Sequence, residues 1–153
     1  MDQEQKQKFM KEALLEARKC EESRDVPIGC VVVYDGEIVG RGKNSRERFN
    51  MATAHAEVLA IDEACKTLGT RRLEKCQIFI TLEPCPMCAG AIMLSRIENI
   101  YIGALDFLTG ACGSKINIFE FSMSPKPKIE YGILKDECKS LLNDFFTELR
   151  VEN

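Results

Sequence analysis

The sequence predicts an α/β fold in which one hairpin leads into parallel β-α-β units, with helices on both faces of the sheet. Three observations predict it. Apolar residues recur at helical spacing near the start, and a β-branched run meets a second strand across Asp35-Gly36. An apolar run at 76–82 is then followed by a helical stretch and another strand.

The first ~24 residues read as an amphipathic helix, because Phe9, Met10, Ala13, Leu14 and Ala17 recur at intervals of three and four with Lys and Glu between them. Residues 28–34 are β-branched, Asp35-Gly36 is a two-residue hairpin turn, and 37–40 return as an antiparallel strand. Residues 42–50 are polar and read as a loop carrying Lys43, Arg46 and Arg48. Helical periodicity resumes at Ala54, with Thr53 as its N-cap and Gly69 as its stop. The run 76–82 reads as a strand buried on both faces. Glu83-Pro84-Cys85 turns the chain, and Pro86 suits the first position of a helix reaching about Ser95. A strand at 99–103 completes a right-handed parallel crossover. A small-residue loop at 104–114, a strand at 129–133 and a helix at 135–150 follow.

A chain of 153 residues fits one domain spanning 1–153, and its 45% hydrophobic and 29% charged content is that of a globular protein. No apolar run reaches the ~18–20 residues that span a bilayer, which predicts no membrane partner. The start, Met1 to Lys6, lacks a signal-peptide core, so a cytoplasmic location is expected. The net charge of −3 argues against a protein that coats nucleic acid, and leaves room for a local basic patch. In a reducing compartment the Cys85-x-x-Cys88 spacing points to metal or catalysis. The six scattered cysteines read as small buried apolar residues.

Chemistry concentrates in Thr53-Ala54-His55-Ala56-Glu57 and Thr81-Leu82-Glu83-Pro84-Cys85-Pro86-Met87-Cys88. His55 is the sequence's one histidine, and with Cys85 and Cys88 it supplies the three ligands typical of a catalytic zinc site with an open water position. A fourth thiolate from a scattered cysteine has no motif behind it. The ligands fall at predicted helix starts, where free N–H groups favour thiolate. Glu57 lies roughly 200° around an ideal helix from His55, so the two would not share a face. Convergence requires His55 at an irregular first turn, or Glu57 reaching from behind the ligands. Either placement makes Glu57 a proton carrier for water rather than a ligand. Alone, a histidine at a helix start is usually a cap, and Cys-x-x-Cys is equally a redox pair or half a structural zinc site. Together and in this order, His-x-Glu and Pro-Cys-x-x-Cys form the established signature of zinc nucleobase deaminases.

Beyond that signature, Val26-Pro27-Ile28-Gly29, Asn44, Ser95-Arg96-Ile97, the loop with Asp106, Thr109-Gly110 and Gly113-Ser114, and the closing Phe145-Phe146 resemble the bacterial tRNA-specific adenosine deaminases of the cytidine-deaminase-like superfamily. The likeness runs from the first helix to Arg150. It implies a three-layer α/β/α sandwich with a five-stranded mixed sheet, one Zn2+ per chain, and a homodimer. The implied activity converts the wobble adenosine of an arginine tRNA anticodon stem-loop to inosine. By matching, His55, Cys85 and Cys88 hold zinc and Glu57 moves the proton. Asn44 bonds the purine edge, Asp106 lies beside the flipped nucleotide, and Phe145 helps shape the pocket. Two departures stand out. Met51-Ala52 replaces a common Asp-Pro, and Leu105 and Leu108 flank positions where relatives often carry basic residues. Lys43, Arg46, Arg48, Lys115, Lys126, Lys128 and Arg150 are other candidates for phosphate contact. Two further readings are a deaminase of a free base or nucleotide such as guanine or cytosine, and a non-catalytic zinc or RNA-binding module. The motif does not separate the first two, whereas the intact Glu57 argues against the third.

Overall fold

The Asp35-Gly36 turn sets the first pairing. Both residues lie in the left-handed region, at φ 50° and 78°, the geometry that joins two strands with native twist. In the computed structural model, which describes residues 1–121 and 125–152, this turn links β1 (Gly29–Tyr34) to β2 (Glu37–Lys43). Strands β3 (Cys76–Leu82), β4 (Asn99–Ala104) and β5 (Lys128–Tyr131) complete the sheet. Among the described residues the strands form one five-stranded sheet in the order β2-β1-β3-β4-β5. β1 runs antiparallel to β2 and β3, while β3, β4 and β5 run parallel to one another.

Strand alternation separates two cores. Cys30, Val32, Ile78, Ile80, Ile100 and Ile102 point to one face, covered by α3 (Ala56–Leu68) and α4 (Pro86–Ser95). Val31, Val33 and Phe79 point to the other, covered by α1 (Gln3–Arg18) and α5 (Lys135–Glu152). This is the expected three-layer α/β/α sandwich with a mixed sheet. No helix among the described residues is long and apolar enough to cross a membrane.

Asp2 caps α1 in a reciprocal pair with Gln5, and Phe9, Met10, Ala13, Leu14 and Ala17 are its buried face. The expected continuation to about residue 24 is instead a tighter 3-10 stretch, Lys19–Ser23. There Cys20 turns inward, its thiol facing the carbonyl oxygens of Ile28 at 3.7 Å and Asn44 at 3.4 Å. β2 continues three residues past Gly40, and the predicted loop contains a short helix, α2 (Arg46–Phe49), ended by left-handed Asn50. β5 stops at Tyr131 rather than 133 because Gly132 turns at φ 90° and the amides of Gly132 and Ile133 both bond the Ile102 carbonyl. α5 extends two residues beyond Arg150.

Seating α3 on β2 requires glycine. A Cβ on Gly42 would lie 2.1 Å from the Ala56 carbonyl oxygen, and one on Gly40 would lie 2.2 Å from that of Ala60. Ala56, Ala60 and Ala64, one helical turn apart, supply the matching small face, and all three are fully buried. Gly42→Ala should therefore displace the start of α3 and cost about 1–3 kcal/mol, as overpacking does. The expected result is a thermal midpoint lowered by several degrees in circular-dichroism melts. An unchanged midpoint would mean that the helix can yield at no cost.

Candidate active site

Two helices begin at the same place, and each begins on a side chain capable of binding metal. His55 is the N-cap of α3, with φ −85° and ψ 150°, and Cys85 is the N-cap of α4, with φ −73° and ψ 174°. Thr53 is therefore not the cap, and its carbonyl oxygen accepts the His55 amide at 2.8 Å. The imidazole makes no capping hydrogen bond to its own helix. Extended backbone at His55 removes the angular conflict with Glu57. The histidine lies outside the helix, and only the glutamate obeys the 3.6-residue turn.

His55 Nδ1 lies 3.6 Å from Cys85 Sγ and 3.4 Å from Cys88 Sγ. Among the described residues these three form a group whose ligand atoms lie within 4.8 Å of one another, and none of the scattered cysteines joins them. A tetrahedral zinc centre with ordinary Zn–N and Zn–S bonds sets nitrogen and sulfur about 3.5–3.6 Å apart. The donor types and their spacing fit zinc.

The pKa of the Cys85 thiol is lowered to about 5, first because the Cys88 thiol donates to it. The amides of Cys88 and Met87 and the charge of His55 add to that effect, against burial. The Cys88 thiol is raised in return, first by its bond to Cys85, then by burial and the Glu57 charge. The six other cysteines are all raised, in each case first by burial. Five of them are buried as expected, whereas Cys65 is half-buried.

Glu57 is buried and hydrogen-bonded to Cys88, and burial pushes its carboxyl up to about 7. A carboxyl held near neutrality can accept and return a proton beside the ligand cluster.

Asn44 follows β2 directly and is 7% exposed. Its Nδ2 donates to the Val26 carbonyl at 3.1 Å, and its Oδ1 accepts the Arg46 amide at 3.4 Å. Asp106 is half-buried at the turn after β4. Its carboxylate accepts from the amides of Leu108 and Thr109 and from the Thr109 hydroxyl. Phe145 stands apart from the ligand cluster's own helices. It lines a groove between α1 and α5 with Ala17, Asp25, Pro27 and Leu141, and meets Phe146 edge-on with ring centres 5.3 Å apart. Phe145 is half-buried and Phe146 is 41% exposed, so neither lies in the core.

Two buried carboxylates had no role in the sequence reading. Asp25 accepts the amides of Glu47 at 2.6 Å and Arg48 at 3.2 Å, pinning the segment that follows Asn44. Glu83, at the end of β3, accepts from the loop that contains Asp106. Glu83 had one available signal, an acid directly before Pro-Cys in an apolar context. Asp25 had none, since the two amides it accepts lie more than twenty residues away.

The family that matches residues 3–104 is described as the cytidine and deoxycytidylate deaminase zinc-binding region. A tRNA-specific adenosine deaminase of Bacillus subtilis is 50% identical over 93% of this chain and 89% of its own length. One from Aquifex aeolicus is 45% identical over 95% of this chain and 96% of its own. A solved structure from work on A-to-I editing by tRNA:A34 deaminases at the wobble position superposes with a TM-score of 0.83. It is 41% identical and covers 88% of this chain and 98% of that one.

Replacing Cys88 with Ala removes one of three converging donors, so zinc content measured by mass spectrometry should fall at least about tenfold. One full equivalent retained would remove Cys88 from the ligand set.

Proposed function

The chain belongs to the zinc-binding cytidine and deoxycytidylate deaminase family and, within it, to the tRNA-specific adenosine deaminases, and from that premise we propose that it hydrolyses the wobble adenosine of a tRNA anticodon loop to inosine. The observation that carries the reading is the buried Glu57 carboxyl beside three converging ligand atoms, at a point where two helices start.

His55 Nδ1 and the thiolates of Cys85 and Cys88 would hold the zinc. When bound, zinc supplies the Lewis acidity that makes water a nucleophile near neutral pH. Glu57 takes the proton from the attacking water on its carboxylate and delivers it to the departing amine. A C–O bond forms at C6 of adenine as the C–N bond breaks and ammonia leaves. The N–H groups at the starts of α3 and α4 keep the cluster's negative charge stable.

Asn44 would bond the purine edge, and its fixed amide favours that role because Val26 holds one of its N–H groups. Asp106 would flank the flipped nucleotide from the opposite loop. Phe145 would extend the surface along α5. The groove it lines includes Asp25 and Pro27, on either side of the Val26 carbonyl that Asn44 bonds, which supports one continuous path. The expected substrate form is a single-stranded loop, where flipping a base costs least. An arginine tRNA as partner, a cytoplasmic location, one domain over 1–153 and a homodimer complete the proposal. Exposed Leu94, Phe107 and Leu108, at 76%, 71% and 85%, favour association with a second chain.

Purified protein given an anticodon stem-loop with a wobble adenosine, alongside free adenosine, cytidine and guanine, should form inosine only in the RNA. Ammonia from a free base with none from the RNA would sink the reading and favour a free-base deaminase. Glu57→Ala should keep one zinc per chain and lose turnover by about 10²- to 10⁴-fold. Loss of zinc in that variant would place Glu57 among the ligands.

A further inference from the structure

Glu83 is 2% exposed and lies at the junction between β3 and the Pro84-Cys85 turn. Its carboxylate gathers donors from a single loop. Oε1 accepts the Asp106 amide at 3.1 Å and the Ser114 hydroxyl, while Oε2 accepts the amides of Cys112 at 3.0 Å and Ser114 at 3.1 Å. The loop thus closes around one side chain at both ends. Gly110 allows the closure, since a Cβ there would sit 2.5 Å from the Glu83 carboxyl carbon and 2.3 Å from the Asp106 carbonyl oxygen. Pro84 adds a backbone clasp, its carbonyl accepting the Ala111 amide at 2.8 Å.

The turn between these anchors is supported mainly from within. The Asp106 carboxylate bonds the amides of Leu108 and Thr109, and Phe107 and Leu108 project into solvent. Glu83, two residues upstream of a ligand and joined to the loop through both carboxylate oxygens, is the main side-chain tie between that turn and Cys85, beside the Pro84–Ala111 bond and the Tyr131 hydroxyl on the Cys112 carbonyl. A polar segment held this way gains from burial, because each amide has a charged partner in a water-poor site.

We propose that Glu83 is a positioning residue that registers loop 106–114 against the metal ligands, so that substrate binding depends on it more than the chemical step does. This rests on the reading of the chain as an RNA deaminase only for its kinetic readout. The glutamate is outside the ligand group, and its carboxylate bonds only the loop. Its effect passes through the loop that presents Asp106.

The test compares Glu83→Gln and Glu83→Ala with the unaltered chain in three measurements. These are zinc content, amide hydrogen exchange across 106–114, and KM against kcat on the anticodon stem-loop. In Glu83→Ala, zinc should stay at one per chain, exchange at Cys112 and Ser114 should quicken at least about tenfold, and KM should rise about tenfold or more with kcat within about threefold. Glu83→Gln keeps one acceptor oxygen and turns the other into a donor facing an amide, so its changes should run the same way and be smaller. If the alanine variant does not fold, the glutamine variant decides on the same readouts. Zinc loss, a fall in kcat at constant KM, or unchanged exchange would each overturn the proposal. A wild-type chain inactive on the stem-loop would count against the RNA reading alone, since zinc content and exchange still decide the role of Glu83.

Discussion

A helix cannot turn residues two apart toward one point, and the site depends on how the chain avoids that limit. His55 and Cys85 both stand at N-cap positions, in extended backbone, so each side chain leaves its helix before helical geometry applies. Glu57 and Cys88 then approach from the first turns. Everything upstream serves to bring the two helix starts together. The glycines of β2 let α3 sit close to the sheet, and the parallel β3-α4-β4 unit opens its connection at the strand ends, where such sheets bind ligands.

The sheet was legible because each strand announced itself locally. Asp35-Gly36 marked the hairpin, and unbroken apolar runs marked β1 and β3. The layers followed from period-two alternation, with Cys30 and Val32 on one face and Val31 and Val33 on the other. What sequence could not show was decided across the chain. The end of α1 depends on Cys20 reaching carbonyls of residues 28 and 44. The end of β5 depends on two amides competing for Ile102. Short helix α2 forms in a stretch whose residues gave no apolar period, because Asp25 receives two of its free amides.

The same division holds at the site. The ligand types could be read from the order His-x-Glu and Pro-Cys-x-x-Cys, since zinc chemistry limits the choice. The cap at His55 could not, because Thr53 carries the stronger local capping preference and only tertiary seating favours the later residue. Asn44 and Asp106 are held mainly by backbone partners, and each loop is fastened by a buried acid that sequence left without a role. Charge in this protein thus serves shape before it serves recognition. Asp25 and Glu83 each hold one of these loops through its backbone amides.

The eight cysteines fall into six scattered thiols and the site pair Cys85 and Cys88. The six have thiols pushed upward, first by desolvation, while in the site pair the bond between the two thiols lowers Cys85 and raises Cys88. A soft cation meeting the folded chain therefore faces little competition from within it. Metal selection becomes a property of the fold's interior as much as of the ligands, since the six thiols outside the site are held back from ionising.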